Sequence, residues 1–266
     1  MSNKDIEVNE INTNIPSPSR IYDYTLGGNH NFEADRQAAE HMFNLFPPAE
    51  RWVRLLRTFL QEAAAELGKE GFDKFIDLGS GLPTADHIHA IVPNSRVLYS
   101  DIDPITVAHG QELLEDSPNA HILQADIRDI DTILDSPYIS ELFGDDRRVA
   151  IGMNGMTCFF TEEELQILYK KLYDWAAPGS KIFCTFETKN PDLSEPGLTA
   201  FVDMFAQMGS PYYFLTAERS KELIAPWKIE GDKFKPIPEW LDAFDLISEE
   251  DRAGVELEFY GAILVK

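Results

Sequence analysis

Three short apolar runs in the middle of the chain carry acidic residues at or just past their ends. The first, Phe75-Ile76-Asp77-Leu78, runs into the turn Gly79-Ser80-Gly81-Leu82-Pro83-Thr84. Small residues let a ligand approach the backbone, and glycine permits a positive φ. The full GxGxxG pattern is broken because residue 84 is threonine. The turn is therefore a weaker pyrophosphate cradle than a nicotinamide enzyme needs. The second run, Val97 to Ser100, stops at Asp101, 20 residues beyond Gly81. A carboxylate there can accept both hydroxyls of a ribose through charge-assisted bonds. Asp103 either joins that ligand or caps the helix that opens at Pro104. The third run, Ala120 to Gln124, leads to Asp126, which either accepts a bond from an adenine amino group or is an ordinary loop acid.

These residues need elements that bring them to one edge. A helix is expected from near Phe32 to before Pro47, and another from Pro48, a good first-turn residue. The second presents Trp52, Leu55, Leu56, Phe59, Leu60, Ala63 and Leu67 on one face and ends at Gly68 and Gly71. Strands and helices then alternate. A helix is expected over Pro104 to about Glu115, and a fourth strand over Val149 to Met153. Thr161 and Glu164 have capping-box spacing for a helix through Leu172. A fifth strand covers Lys181 to Phe186. Helices near Leu198–Gln207 and Glu218–Ile224 follow, then strands near Trp227–Phe234 and Leu257–Val265. Repeated βα units imply a mostly parallel sheet with helices on both faces. Ligands of such sheets sit beyond the carboxyl ends of the strands. His87 and His89 fall on a helix after the glycine turn and read either as helix-surface residues or as a layer behind that turn. The division expected is a disordered tail over 1–15, N-terminal helices over 16–70, and a Rossmann-like α/β core over 71–266.

Composition narrows the partners. The 266 residues hold 46 acidic and 23 basic side chains, a formal net charge of −23. Such a surface repels phosphate backbones and anionic lipid, so neither nucleic acid nor membrane is expected as a partner. Cys158 and Cys184 are far apart within apolar runs and read as buried thiols in a reducing compartment, with no metal site. The first ten residues are polar and acidic, unlike a signal or transit peptide. No apolar run approaches the ~18 residues that span a bilayer. A cytoplasmic location is expected, and the oligomeric state stays open.

The run FIDLGSG…VLYSDIDP…ILQADIRD resembles class I S-adenosylmethionine-dependent methyltransferases. The segments PSPSRIYDYTLGGNHNFEADRQAAE, DLGSGLPT, RVLYSDIDPITVAHG and RSKELIAPW…PIPEW are similar to one bacterial S-adenosyl methyltransferase family, formerly described as a domain of unknown function. The resemblance runs from about Pro16 to the C-terminus. It implies a seven-stranded sheet with its last strand antiparallel and S-adenosyl-L-methionine as cofactor. It also implies that Gly79, Ser80 and Gly81 approach the methionine part, that Asp101 holds the ribose, and that Asp126 lies near the adenine. Ile102, Asp103, Ile127 and Asn154 join the expected cofactor site. After the fourth strand, however, Asn154-Gly155-Met156-Thr157 stands where typical members have an aliphatic pair and a histidine or proline.

The segment around Arg20, Tyr22, Asp23, Tyr24, Gly27, Gly28, His30 and Asn31 is polar and aromatic and is punctuated by glycine. That composition suits a lid over the cofactor. Arg20 could pair with the methionine carboxylate and Tyr24 could face the sulfonium. Gly28 and Asn31 would allow close approach. Alternatively, Tyr22 and Tyr24 merely pack the first helix. Phe159, Phe160, Tyr212, Tyr213 and Phe214 suit either a small apolar acceptor or a core. The reading is methyl transfer to a small molecule, with no catalytic residue assigned. The rivals are a cofactor-binding regulator without transferase activity and a nicotinamide oxidoreductase.

Overall fold

Phe75, Ile76 and Leu78 are fully enclosed, as a strand covered on both faces requires. Side chains alternate across it, so Phe75 joins one apolar layer and Ile76 the other. The computed structural model describes residues 12–189, 196–243 and 257–266. Seven strands form one sheet: β1 (Lys74–Leu78), β2 (Arg96–Asp101), β3 (Ala120–Gln124), β4 (Ala150–Met153), β5 (Lys181–Lys189), β6 (Lys228–Pro236) and β7 (Leu257–Val265). Their order is β3-β2-β1-β4-β5-β7-β6. The first five pair in parallel, and β7 runs antiparallel to both β5 and β6.

The helices are α1 (Pro18–Thr25), α2 (Glu33–Leu45), α3 (Ala49–Lys69), α4 (Ile88–Ile91), α5 (Pro104–Leu113), α6 (Ile130–Leu134), α7 (Pro137–Phe143), α8 (Glu162–Trp175), α9 (Pro196–Gln207), α10 (Ala217–Leu223) and α11 (Ile237–Trp240). Apolar residues of α1–α5, α9 and α11 pack on one face of the sheet. Those of α6–α8 and α10 pack on the other. Thr161 caps α8 in the expected box: the Glu164 amide donates to Thr161 Oγ1, and Thr161 N donates to Glu164 Oε2 at 2.7 Å.

At three places the structure supplies what the sequence left open. Residues 18–25, given no element of their own from sequence, form a helix, because Pro18 starts it and Ile21 is buried against the core. The segment between β3 and β4 holds α6 and α7, whose Ile130, Ile133, Ile139 and Leu142 carry an apolar face. Of the two readings of His87, burial favours the layer behind the glycine turn: it is fully buried and caps α4 with Nδ1 accepting from the Ile88 amide at 3.0 Å. Residues 1–11 of the expected tail lie outside the described residues. Among the described residues no helix is long and apolar enough to cross a membrane.

Candidate functional site

Strand order reverses between β1 and β4, so their carboxyl ends flank the crevice where such sheets bind ligands. A cavity with about 1050 Å³ of empty space, part of it open to solvent, sits there. Asp77 and the Gly79–Gly81 turn form its floor with Asn154, Gly155 and Met156. Gly79 is needed twice over. Its φ is +66°, and a Cβ there would come within 2.5 Å of Met156 Sδ. Helices α1 and α3 form the roof, with Ser19, Tyr22, Trp52 and Arg57 among the lining residues. The far wall is aromatic: Phe201 lies 4.8 Å from Phe205 between ring centroids, Tyr212 lies 5.3 Å from Phe159, and Trp52 lies 4.5 Å from Phe259.

Asp101 ends β2 beside the turn. Its Oδ1 accepts from the Asp103 amide at 2.9 Å and its Oδ2 from the Gly81 amide at 3.0 Å. Ser19 Oγ, on α1, reaches both oxygens at 3.0 Å. Burial pushes the carboxyl up to about 6, against the pull of these donors. The acid therefore sits where a diol could bind, with a serine hydroxyl already placed on it.

Asp77 is enclosed within β1, and burial pushes its carboxyl up to about 7 while Arg57 pulls it back. Its Oδ2 has no hydrogen-bond partner. His87 Nε2 lies 3.5 Å away but is not aligned to bond it. Burial holds that imidazole well below its usual range, so it is neutral. Arg57 is 6% exposed, and its Nε and Nη1 have no partner. The Arg57 guanidinium lies 5.6 Å from the Tyr22 ring centroid. The Asn154 amide is likewise buried with neither polar atom bonded. Buried polar groups are normally satisfied, so three unpartnered groups around one cavity point to a ligand.

Not all the sequence-derived residues gather there. Gly79, Ser80, Gly81 and Asn154 line the cavity, and Asp101 adjoins it through Gly81 and Ser19. Ile102 lies at the end of β2 and is 59% exposed. Asp126 caps the turn Ile127–Asp129 by accepting from the Arg128 amide at 2.9 Å, and Ile127 is buried behind it. Asp103 caps α5, accepting from the Ile105 and Thr106 amides.

The N-terminal segment departs further from expectation. Arg20 is buried, and its Nε, Nη1 and Nη2 donate to Asp35, Asp103 and the Ile15 carbonyl. Three of the five N–H donors of this guanidinium are so committed, and Arg20 is not among the residues that line the cavity. Tyr24 turns away from the cavity and donates to Glu40 at 2.8 Å. Gly28 and Asn31 close a turn around Asp23, which accepts from Asn31 Nδ2 at 2.8 Å and leaves no room for a Cβ at Gly28. The residues of α1 that line the cavity are Pro18, Ser19, Ile21, Tyr22 and Thr25. Of the aromatic residues named from sequence, Phe159 and Tyr212 line the cavity. Phe160 is buried on the opposite face of the sheet and Tyr213 is exposed.

Sequence reasoning missed Ser19, Arg57 and Asp77 as ligand-facing groups. A signal for Arg57 existed. Ala49, Trp52, Val53, Leu56, Arg57 and Leu60 recur at helical spacing as the stripe of α3 that faces the cavity. An arginine within an apolar stripe needs a reason.

The sequence model of a family described as S-adenosyl methyltransferase matches residues 4–256. A crystal structure of a putative methyltransferase from Thermobifida fusca is 26% identical with a TM-score of 0.84, covering 98% of this chain and 99% of that one. A DUF574 family protein from Streptomyces avermitilis is 27% identical with a TM-score of 0.85, covering 96% and 99%. The cyclopropane synthase MmaA2 from Mycobacterium tuberculosis shares the fold at 14% identity and a TM-score of 0.54, over 77% of this chain and 83% of that one. Comparison with curated proteins yields no match.

Proposed function

The chain belongs to the S-adenosyl methyltransferase family, and from that premise we propose that it methylates a small acceptor held against the aromatic wall of the cavity. The observation carrying this reading is the division of the cavity. One end holds the glycine turn, Asp77, Arg57 and Asn154, while the other is built from Trp52, Phe201, Phe205, Tyr212 and Phe259. The polar end fits the cofactor, because its buried polar atoms lack partners within the protein. The aromatic end suits a flat or apolar acceptor body.

When bound, S-adenosylmethionine supplies an electrophilic methyl group on a cationic sulfur. The protein's task is to hold donor and acceptor in line and keep water out. Asp101 accepts the ribose hydroxyls once Ser19 yields, and the positive-φ glycines keep the floor free of side chains. Ile102, Asp126 and Ile127, at the ends of β2 and β3, lie on the side where the adenine would extend. The Asn154 amide, in the cavity lining with neither polar atom bonded, belongs to the cofactor end. No base is required for a nitrogen or thiolate nucleophile.

The experiment is a screen of a metabolite extract with the protein and methyl-labelled cofactor. Label moving into a small apolar or aromatic compound supports the reading. Label moving only into macromolecules would refute it.

A further inference from the structure

We propose that the acceptor is a hydroxyl compound of phenol type, and that Tyr212 takes its proton and hands it through Cys158 to Glu187. The inference rests on the methyltransferase reading above and names its acceptor class. Of the wall residues Trp52, Phe201, Phe205, Tyr212 and Phe259, only Tyr212 carries a hydroxyl. Its ring centroid lies 5.3 Å from that of Phe159 and 5.2 Å from that of Phe201. Its hydroxyl hydrogen-bonds the Cys158 thiol, which in turn reaches the Glu187 carboxyl. Cys158 and Glu187 are 2% and 3% exposed and do not line the cavity. Tyr212 therefore stands between the cavity and a buried acid.

A buried carboxyl that stores a proton must be satisfied both with it and without it. As a carboxylate, Glu187 accepts from Thr185 Oγ1 at 2.9 Å on Oε1 and from Thr157 Oγ1 at 2.8 Å on Oε2. Thr185 Oγ1 also accepts from the Gly155 amide at 2.7 Å, which leaves its own proton for Glu187. Thr157 has a second acceptor, the Thr185 carbonyl at 3.0 Å. When Glu187 is protonated it can donate to Thr157 Oγ1, and Thr157 turns its proton to that carbonyl. Cys158 has a similar choice, because its Sγ lies 3.8 Å from the Gly155 carbonyl oxygen. A purely structural acid needs only one of these arrangements. Burial pushes the Glu187 carboxyl up while Thr157 and Thr185 pull it back. Burial also pushes Cys158 and Tyr212 well up, so both stay neutral and pass a proton on. The other titratable groups that feel Glu187 are Tyr169 on α8 and Cys184 on β5, both kept neutral by burial.

The chemistry selects a hydroxyl. Neutral amines and thiolates attack a methyl group without a base, and a buried proton store would then be idle. A phenol must lose its proton, and its acidity is close to that of a tyrosine, so transfer between the two is nearly balanced. The Tyr212 oxygen donates to Cys158 and keeps a lone pair for the acceptor's proton. The acceptor O–H bond breaks as its oxygen gains the methyl group, and the S–CH3 bond opens to leave S-adenosylhomocysteine. Each proton shifts one place, from acceptor to Tyr212, from Tyr212 to Cys158 and from Cys158 to Glu187. The stored proton returns to solvent by the same route once the product leaves. Tyr212 is the catalytic residue of this set, and Cys158 and Glu187 act through it.

The test uses sinefungin, an unreactive cofactor analogue with an amine in place of the sulfonium, and 4-nitrophenol, which is yellow only as its phenolate. Sinefungin-bound wild-type protein should ionise the bound probe at a lower pH than Glu187→Gln does, the midpoints differing by about one pH unit or more. A carboxylate acting by its charge alone would give the opposite shift, and that result overturns the relay. Tyr212→Phe and Cys158→Ala should raise the midpoint as Glu187→Gln does. Cys158→Ser, whose hydroxyl can carry the proton, should restore it. 4-Nitroanisole has no proton to give and should bind wild type, Glu187→Gln and both Cys158 variants alike in equilibrium dialysis, which is the control for folding. A midpoint indifferent to Glu187→Gln and Cys158→Ala overturns the relay. Should Glu187→Gln bind neither probe, the two Cys158 variants decide, and equal midpoints in them overturn it. Wild-type protein that holds sinefungin but not 4-nitrophenol overturns the acceptor class. Wild-type protein that does not hold sinefungin overturns the methyltransferase reading beneath it.

Discussion

Removing the Ser19 hydroxyl should make the free protein less stable and the cofactor bind more tightly. A carboxylate offers about four acceptor sites. In Asp101 two are taken by the Gly81 and Asp103 amides, and Ser19 Oγ spans both oxygens at 3.0 Å. Two ribose hydroxyls need the sites that Ser19 covers, so Ser19 must yield before they bind. A hydrogen bond to a charged group is worth about 1.5–3 kcal/mol. Ser19 is only half-buried, and water can replace it in part, so the net loss falls below that range, at about 0.7–1.4 kcal/mol. Ser19→Ala removes this competitor from the free state and nothing from the bound state. S-adenosylhomocysteine affinity should rise by roughly three- to tenfold, since about 1.4 kcal/mol is tenfold. The gain should appear mainly in the association rate, because the displaced bond belongs to the free protein. The melting temperature of the free protein should fall by about 2–4 °C for a loss near 1 kcal/mol. Calorimetry, stopped-flow fluorescence and a thermal melt measure the three. Weaker binding by Ser19→Ala would refute the argument, because it would mean that Ser19 holds the ribose rather than competing with it.

Asp101→Ala removes both ribose acceptors, each worth about 1.5–3 kcal/mol, and calorimetry should show at least a roughly tenfold loss of cofactor affinity with the fold retained by circular dichroism. The pH dependence follows from the two raised carboxyls. Asp101 titrates near about 6, facing Ser19, Gly81 and Asp103, the last paired with Arg20. Asp77 titrates near about 7, facing Arg57 from α3 and the neutral His87. Both bind cofactor as carboxylates, so affinity should fall as pH drops from about 7 to below 6. Because both are raised in the folded state, the free protein should lose stability as pH rises through the same window. Titrations and melts from pH 5 to 8 check both signs. Gly79→Ala forces a left-handed conformation costing about 1–2 kcal/mol and drives Cβ into Met156, so the melting temperature and cofactor affinity should drop together. At a net charge of −23, a gel shift with duplex DNA or tRNA at physiological salt should show no complex.

The sheet was legible because its strands are short apolar runs with turn residues at their ends. Ala120–Gln124 and Leu257–Val265 match the structure at both ends. The acids that end β2 and follow β3 could be placed on one edge by counting βα units alone. What composition could not show is which polar groups are already satisfied. Arg20 and Arg57 are both buried arginines near the site. One is paired because Asp35 lies a helix away at 2.9 Å and Asp103 lies at 2.7 Å. The other keeps Nε and Nη1 without a partner, and Asp77, the carboxyl it pulls on, forms no hydrogen bond with it. That difference is set by contacts between residues 15 to 83 positions apart, beyond the reach of local pattern. Tyr22 and Tyr24 differ for a simpler reason. They are 200° apart around one helix, so one faces the cavity and the other faces Glu40, and only the helical assignment of residues 18–25 separates them.

The same contacts explain why the N-terminal segment is not a loose flap. Asp35 is fully buried and accepts from Ser17 N, Phe32 N and Arg20 Nε. It thereby fixes the start of α1 to the start of α2. Arg20 then ties both to Asp103 at the head of α5, and His30 lies 5.1 Å from His109 farther along that helix. A segment clamped at both ends to the core can still move locally. Ser19 occupies the ribose acid through one bifurcated bond, and a side-chain rotation releases it without breaking either clamp. The division of labour follows from chemistry. The strand ends supply backbone amides and acids that suit a nucleoside. The charge that complements an amino acid and the aromatic surface for an acceptor must come from side chains above the sheet, which α1, α3 and α9 supply. Chains with the same sheet can change acceptor by altering those helices while leaving the Gly79–Gly81 turn and Asp101 in place.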